Sequence, residues 1–553
     1  MNTTKILNKY MVLFTALAIG FSSCTKDFED LNTNNTGVSD EDLKPNGQDL
    51  EIFFRQAQMS IYNFSGGGDP NSYQVQQNLN ADVYSGYFMS PTPFNSGQNN
   101  LNYAMVNGWN GEPFKVLYVN VLNSLNKLKN NGLAETYPAV WAAALVVKAE
   151  ATSRVTDIYG PIPYSGVGIT GSIPYDSQED IYKRLFLELD TARNLLLTFN
   201  NGTDTTQVPA NIGEADLVYQ GVDNKTRFQK WLRLANSLRL RLAMRIVKAN
   251  PQLAQTEAEK ALDPANGGVI DNNADNFRIT VPSDANFSNP LYFIAKNWGD
   301  TRINASLESY MVGYKDPRIA KYMDKATDKV ITGQYKGIRA GAAGLTKDAY
   351  IGYSSLNIND GTPTFSASTA PMLMTAAEVY FLRAEAALRG WANAGGSVQA
   401  LYEQGIQSSF SQWGVQGANA YIQNNTNTPI AYVDPRNSRN NAPAPTTITV
   451  QWNEGATAEE KLERIITQKW LAIFPEGQEA WSEFRRTGYP RIFPVVVNNS
   501  GGLIDTEVQI RRLPFPQNEY NTNAAEVQKA IQLLGGPDNG GTRLWWDKEG
   551  TNF

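Results

Sequence analysis

Histidine is absent from this 553-residue chain, and cysteine occurs once, as Cys24. Without histidine the chain cannot form a Ser-His-Asp or Cys-His nucleophile, and it lacks the commonest metal ligand in proteins. A single cysteine excludes an intrachain disulfide and any cysteine-based zinc or iron–sulfur site. Most catalytic designs are therefore excluded, and enzymes that work with carboxylates alone remain open.

The chain also lacks an excess of basic residues and long apolar runs. The net charge is −6 and the sequence pI is about 5.2. These values argue against nucleic acid as a partner, because a surface that follows phosphates needs a positive charge. No stretch has roughly 18 or more consecutive apolar residues, so the sequence predicts no membrane-spanning helix.

The amino terminus has the layout of a secretion signal. Lys5 and Lys9 precede an apolar run at 10–20, and small residues lead up to Cys24. This arrangement resembles a bacterial lipobox, in which the cysteine carries the lipid; the alternative is a plain secretory signal with an accidental cysteine. We expect a signal peptide at 1–23, a lipidated flexible tether at 24–48 and a single folded domain at 49–553. Lys26 and the acidic residues after it resemble the surface-export signal of Bacteroidetes lipoproteins, which implies an outer-membrane protein facing the exterior.

Helical periodicity dominates the folded part. Residues 374–391 predict the clearest helix, with Thr375 as N-cap and Glu378 placed to close a capping box; Thr457 and Glu460 repeat the pattern. Alanines on several sides of the 374–391 helix favour close packing on more than one face. A stacked helical repeat requires such packing, although an ordinary buried helix of a large domain would also allow it.

The order of the predicted helices indicates the organisation of the domain. Helix pairs recur at a spacing of roughly 35 to 60 residues, which suggests degenerate tetratricopeptide-type units. We expect helical repeats over roughly 50–250, with the last helix stopping at Asn250 and Pro251, and again over 372–412. A loop-rich insertion on the ligand side would occupy roughly 262–369, and C-terminal helices and extended segments would fill 457–553. The predicted fold class is mainly α, with few short strands.

Several stretches together resemble the SusD/RagB family of outer-membrane lipoproteins. Besides the lipobox, they are TDIYGPIPY at 156–164, WLRLANSLRLR at 231–241, residues 376–388, the run from QKW at 468–470 to WSEFRRTG at 481–488, and RLPFP at 512–516. The resemblance implies a scaffold of about four tetratricopeptide-like helix pairs with loops covering one side. It also implies a binding protein with no catalytic residues and no cofactor. Such a protein passes oligosaccharides, or sometimes peptides, to a SusC-like TonB-dependent transporter.

Two loop regions, 84–109 and 289–353, have the composition of a sugar-binding site. Sugar rings have apolar faces edged by hydroxyls, so a site needs flat aromatic side chains with amide and charged groups around them. The tryptophans rank first because indole has the largest stacking face. The alternative is that these aromatics fasten the loops onto the helical body. The candidate ligand-binding residues are Trp298, Trp109, Tyr292, Tyr84, Tyr353, Asn297 and Arg302.

Other residue clusters admit other functions. Residues 271–275 hint at a calcium loop but lack the glycine and the terminal glutamate of that motif, so we predict no metal site. A carboxylate-based glycan hydrolase and a scaffold that recruits only proteins remain rival functions. Four arginines on one predicted helix could form an anion site, but we expect them to pair with buried acids such as Glu378 or Glu385. These arginines are Arg233, Arg239, Arg241 and Arg245.

Overall fold

The computed structural model describes residues 43, 47–62, 70–168, 171–202, 207–283, 288–359 and 361–553. The predicted signal peptide, Cys24 and most of the predicted tether lie outside these residues. Among the helices of the described ranges, none combines the length and the apolar character needed to cross a bilayer.

The described chain is mainly helical, which confirms the predicted fold class. Its longer helices are α1 (Arg55–Ile61), α2 (Asn123–Asn130), α3 (Pro138–Tyr159), α4 (Gln178–Asn201), α5 (Asn224–Arg245), α6 (Pro251–Leu262), α7 (Ala305–Gly313), α8 (Ala376–Leu388), α9 (Val398–Gln412), α10 (Ala458–Ala472), α11 (Gly477–Thr487) and α12 (Ala524–Leu534). Short helices lie between them, at Pro70–Tyr73, Ala81–Tyr84, Phe94–Gly97, Asn107–Asn110, Glu112–Val116, Leu133–Thr136, Ile212–Ala215, Pro290–Phe293, Ile319–Tyr322, Lys347–Tyr350, Ala418–Ile422 and Gln517–Thr522. Wider π-helical turns occur at Leu50–Phe54, Gln74–Asn78, Leu117–Leu122 and Ile294–Trp298.

In the described ranges, four short strands form two antiparallel pairs. Strand β1 (Phe88–Met89) pairs with β3 (Arg302–Ile303), so that Phe88 lies opposite Ile303 and Met89 opposite Arg302. Strand β2 (Phe277–Arg278) pairs with β4 (Met372–Met374) around an irregular register. Each pair ties a segment of the region 262–369 to a part of the chain outside it.

The helices pack as four successive units of the tetratricopeptide-like type. Helix α1 packs against the helical stretch that includes Leu117–Leu122, and α3, α5 and α8 pack against α4, α6 and α9 respectively. Helix α4 also contacts α5, and α10 covers α8 and α9. Their apolar side chains form one continuous core that includes Trp231, Trp470 and Trp481.

Helix α5 ends before Asn250 and Pro251, as predicted, and an additional helix that was not predicted, α6, begins there. The Asn250 side chain accepts a hydrogen bond from Leu253 N at 3.1 Å, and Pro251 occupies the first helical position. A proline is suited to that position because the first N–H of a helix has no partner within the helix. The same two residues that end one helix therefore begin its partner.

The two predicted capping boxes differ. Thr457 and Glu460 form the full reciprocal box at the start of α10. Thr375 does accept a hydrogen bond from Glu378 N at 3.2 Å, but the Glu378 carboxylate turns inward and bonds Arg241. The second half of the predicted box is therefore not formed, because an ion pair inside the core holds the glutamate.

The arginines of α5 pair with acids, as predicted. The pairs are Arg233 with Asp275 at 2.6 Å, Arg239 with Asp190 at 2.8 Å, Arg241 with Glu378 at 2.7 Å, and Arg245 with Glu483 at 2.8 Å. Glu385 pairs instead with Arg486, at 2.7 Å. Burial alone would raise the pKa of Glu483, but the charges of Arg486, Lys469 and Arg245 hold it below its usual range. Each of these four arginines therefore has an acidic partner.

Candidate functional site

Trp109 lies on the short helix Asn107–Asn110 and is half-buried. Its ring is nearly perpendicular to the ring of Phe94, with the centroids 5.8 Å apart. Between these two residues the chain turns through Tyr103, whose φ of 68° places it in the left-handed region. The two rings form one small aromatic surface built from the first candidate loop region.

Trp298 ends the π-helical turn Ile294–Trp298 and is also half-buried. Gly299 terminates the turn with a φ of 66°, a conformation that glycine adopts without strain. The Phe293 ring stands against the indole with centroids 5.5 Å apart, and Tyr292 is half-buried in the preceding helix. Lys347 donates a hydrogen bond to the Trp298 carbonyl at 2.8 Å and so fixes the end of the turn.

The fold holds these two aromatic surfaces on neighbouring segments. The pairing of β1 with β3 brings the start of the first loop region beside the early part of the second. Thr92 Oγ1 then donates a hydrogen bond to Asp300 Oδ1 at 2.5 Å. The turn Gln74–Asn78 also contacts Asn107–Asn110, which carries Trp109, and Pro290–Phe293, which directly precedes the Trp298 turn. We use the name aromatic face for these two ring pairs, Trp109 with Phe94 and Trp298 with Phe293, together with Tyr292.

A buried carboxylate supports the turn beneath the aromatic face. Asp82 accepts hydrogen bonds from Gln77 at 2.9 Å and from Tyr73 and Asn78 at 3.2 Å. Burial raises the pKa of Asp82 to about 6, against the opposing effect of these hydrogen bonds and of Arg154. Asn78 in turn accepts a hydrogen bond from Thr301 at 2.7 Å, next to β3. The turn and the Trp298 loop are thus joined through polar side chains.

Asn297 and Arg302 have different surroundings. Asn297 is exposed and directly precedes Trp298 in the chain. Arg302 is buried, and its guanidinium donates to the carbonyls of Ile351 at 2.7 Å and Thr301 at 2.6 Å. Burial lowers the pKa of Arg302 to about 10, although the charge of Asp300 opposes the shift. Arg302 therefore holds the loop from inside.

Tyr84 and Tyr353 lie in the interior, with 4% and 3% of their surface exposed. The Tyr84 ring packs against Trp481 with centroids 5.2 Å apart, and its hydroxyl donates to Asn100 O at 3.1 Å. The Tyr353 hydroxyl donates to Asp434 at 2.9 Å. Neither ring offers a free face, so the aromatic face is defined without them.

Phe293 and the turn Gln74–Asn78, which supports the aromatic face, are not singled out by the sequence. Phe293 follows Tyr292 directly, and its role as the edge partner of Trp298 depends on the π-helical turn. The supporting turn Gln74–Asn78 falls in a stretch whose helical periodicity is weak. The feature of the sequence that could have indicated this turn is a run of glutamine and asparagine between apolar residues.

The residues that hinted at a calcium loop are used otherwise. The Asp275 carboxylate pairs with Arg233 at 2.6 Å and with Lys230 at 3.2 Å. Asn272 and its neighbours form a short capped turn. In the ranges that the structure describes, no cluster of three or more acidic side chains is arranged to hold a metal ion.

Comparison with known families identifies the fold. The family model described as SusD-like, Susd and RagB outer membrane lipoprotein, matches residues 30–547. The chain belongs to the SusD-like family. The family is described as one of outer-membrane lipoproteins. The predicted resemblance is therefore confirmed.

Solved structures of other SusD-like proteins superpose over almost the whole chain. A chitin-binding SusD homolog from Flavobacterium johnsoniae is 45% identical with a TM-score of 0.84, and the match covers 91% of this chain and 100% of that one. A SusD homolog from Bacteroides vulgatus is 37% identical with a TM-score of 0.83, covering 93% of this chain and 100% of that one. A homolog from Bacteroides thetaiotaomicron is 36% identical with a TM-score of 0.79, covering 91% and 99%. No curated protein matches the chain significantly.

Proposed function

We propose that this protein is a surface-exposed receptor that binds oligosaccharides and delivers them to a TonB-dependent transporter of the outer membrane. The observation that carries the proposal is the aromatic face, on which Trp109 and Trp298 are each held half-buried by neighbouring loops. The 45% identity to a chitin-binding homolog, over that protein's full length, supports a glycan as the ligand.

The chemistry of the aromatic face suits a saccharide. Trp109 and Trp298 each meet one phenylalanine ring at a nearly perpendicular angle and remain half-buried. Burying a sugar face against such a ring removes apolar area from water at about 25 cal/mol per Å². Asn297 lies beside Trp298 and can bond a hydroxyl or an acetamido group. Chitin oligosaccharides are therefore the first ligands to test.

Binding without hydrolysis is part of the proposal. Asp300, the acid nearest to Trp298 in sequence, is bonded by Thr92 at 2.5 Å and by Lys347 at 2.6 Å. A glycosidase needs one carboxylic acid free to protonate the leaving group and a second free to act as nucleophile or base. An acid held by an ammonium group and a hydroxyl is poorly suited to either role. Incubation with chitin oligosaccharides should therefore produce no new reducing ends.

The binding experiment compares Trp298→Ala with Trp470→Ala. Trp298→Ala should weaken the affinity for chitohexaose by at least about tenfold in calorimetric titration, with Tm nearly unchanged, because the indole is only half-buried. Trp470 is 1% exposed and donates a hydrogen bond to Ser85 O at 2.8 Å. Trp470→Ala should cost about 3–5 kcal/mol of stability and leave binding intact in the protein that folds.

Three results would count against this function or against the residue assigned to it. If wild-type protein binds no oligosaccharide from a broad glycan panel, the ligand class is wrong. If Trp298→Ala lowers Tm while the affinity stays the same, Trp298 is a packing residue, and Trp109→Ala then becomes the deciding variant. Co-purification of a transporter without any glycan binding would favour a protein-recruiting scaffold.

A further inference from the structure

The pair Asn107 and Gly108 lies at the start of the short helix that carries Trp109, and both residues are exposed. An asparagine that precedes a glycine can react with its own backbone, because glycine has no side chain to shield its nitrogen and leaves the backbone free to rotate. The sequence contains seven such pairs and does not single out one of them. They begin at Asn46, Asn107, Asn110, Asn131, Asn201, Asn266 and Asn539, and Asn46 lies outside the described residues.

Hydrogen bonds and burial hold the reacting groups at the other described pairs. The glycine nitrogen donates to a backbone oxygen at three of them, from Gly132 N to Lys129 O at 3.0 Å, from Gly202 N to Thr198 O at 3.1 Å and from Gly267 N to Pro264 O at 3.2 Å. Asn110 is buried, and its Oδ1 accepts a hydrogen bond from Asn100 at 2.9 Å. Asn539 Oδ1 accepts one from Gly541 N at 2.9 Å, and Gly540 is buried.

The reacting groups of Asn107 and Gly108 are free. Neither the Asn107 side chain nor the Gly108 N–H makes a hydrogen bond to another described residue. A Cβ built on Gly108 would meet no atom within 4 Å, so the space around this residue is open. The turn that contains the pair is closed by two hydrogen bonds, which Trp109 N and Asn110 N donate to Val106 O at 3.0 Å. Rotation about Asn107 opens this one turn, and a helix of this length has little stability of its own.

The chain is fixed on both sides of the pair. The buried Asn100 side chain accepts a hydrogen bond from Val106 N at 2.8 Å and donates one to Asn110 Oδ1 at 2.9 Å. The Tyr159 hydroxyl also donates to Asn110 O. An additional backbone atom between these two fixed points must be accommodated by the residues between them, and Trp109 is one of those residues.

We propose that Asn107 and Gly108 form a site of spontaneous isoaspartate formation in the folded protein, and that the reaction displaces Trp109. Base removes the proton from Gly108 N, the nitrogen attacks Asn107 Cγ, and the bond from Cγ to the amide nitrogen breaks, so that ammonia leaves and a succinimide ring forms. Water then adds to the main-chain carbonyl carbon of Asn107 and breaks its bond to Gly108 N. The chain now runs through Cβ and Cγ, and the former main-chain carbonyl carbon has become a carboxylate.

The reaction consumes one water molecule and releases one ammonia, and it depends only on the chain itself and on solvent. Its consequence for ligand binding rests on the proposed function, because Trp109 belongs to the aromatic face. A protein that has reacted at Asn107 should therefore bind glycans less tightly than fresh protein.

The rate of reaction is measured by ageing the purified protein in mildly alkaline buffer, both native and in denaturant. Peptide mass spectrometry with electron-transfer fragmentation distinguishes isoaspartate from asparagine and aspartate at each pair. In the native protein Asn107 should react at least about tenfold faster than Asn131, Asn201 and Asn266. In denaturant the four sites should react at comparable rates. Equal rates in the native protein, or no reaction at Asn107, would overturn the proposal.

Two variants separate the extra backbone atom from the added charge. Gly108→Ala keeps Asn107 and places a methyl group in open space, and it should slow the reaction at least about tenfold. Asn107→Asp adds the charge to a normal backbone, and when freshly purified it should bind chitohexaose like fresh wild type. Aged wild type should lose at least about tenfold in chitohexaose affinity, whereas aged Gly108→Ala should lose none.

Hydrogen exchange of the amides in 106–110 gives a measurement that needs no ligand. These amides should exchange faster in aged wild type than in fresh wild type, because the turn at Val106 O is broken. Unchanged exchange after reaction at Asn107 would overturn the displacement of Trp109, as would an equal loss of affinity in fresh Asn107→Asp. If fresh wild type binds no chitohexaose while reaction and faster exchange are both observed, the glycan proposal fails and the isoaspartate site is supported.

Discussion

Trp298 and Trp470 show how one residue type serves two purposes in this chain. Trp470 is enclosed by Tyr87, stacked at 5.3 Å, and by Tyr310, edge-on at 5.2 Å. Trp298 has one aromatic neighbour, Phe293, and keeps part of its indole exposed. The number of sides on which a ring is packed decides whether its area stabilises the fold or remains available to a ligand.

Asp82 links the protonation of one buried residue to stability. Its pKa rises from 3.8 to about 6 on folding because burial disfavours the charged form. The folded state therefore holds the proton more tightly than the unfolded state does. The resulting stabilisation is fully present below about pH 4 and is lost as the pH rises through about 6, and it amounts to about 3 kcal/mol at most.

We expect Asp82→Asn to remove this pH dependence, because the amide stays neutral throughout. The free energy of unfolding of both proteins is measured with denaturant at about pH 4.5 and about pH 7.5. The value for wild type minus the value for the variant should fall as the pH rises. Asp271→Asn, at an exposed position, controls for general electrostatic effects. A difference that is equal at both pH values would show that Asp82 does not titrate in this range.

At the level of elements, the contact between α8 and α9 depends on a glycine. Gly405 lies within α9, and a Cβ added there would come within 2.8 Å of the Phe381 ring on α8. Phe381 is itself buried and packs against Tyr402 with centroids 6.1 Å apart. The two helices approach closely at this point because the glycine has no side chain.

Gly405→Ala should therefore destabilise the protein, by about 1–3 kcal/mol, even though alanine is the better helix former. The cost comes from moving the Phe381 ring or separating the helices. Gln404→Ala, at the exposed neighbouring position of the same helix, should change stability little. Chemical denaturation of the two variants measures the difference. Equal or higher stability of Gly405→Ala would mean that the ring relaxes without cost.

For the molecule as a whole, we propose that acylated Cys24 anchors the described domain to the outer membrane. Family membership supports a lipoprotein, and Cys24 is the only thiol in the chain. Cys24→Ser should release the protein from the membrane fraction or leave an uncleaved precursor, as fractionation and immunoblotting would show. If the variant remains in the outer membrane and is cleaved by added protease like wild type, the anchor lies elsewhere.

Helix positions could be predicted from the sequence because they depend on residues close to one another in the chain. The family could be predicted because the stretches that resemble it are short and continuous in sequence. The capping box of Thr457 and Glu460 spans one turn, and the apolar spacing of α10 repeats within a few residues. Helix α6 escapes such a prediction because Asn250 and Pro251 both end one helix and begin another. The lack of histidine and the single cysteine restrict the possible chemistry through composition alone.

Long-range packing decides which candidate aromatics remain accessible. Tyr84 and Trp298 both fall in loop regions rich in polar residues, yet Tyr84 is covered by Trp481 from the far end of the chain. The inward turn of Glu378 likewise depends on Arg241, a residue of another helix. Burial is the sum of contacts made by residues distant in sequence, and no local pattern specifies them. Local patterns and composition thus specify the repeat scaffold and the kinds of residue that could bind a sugar, and the tertiary contacts select among those residues.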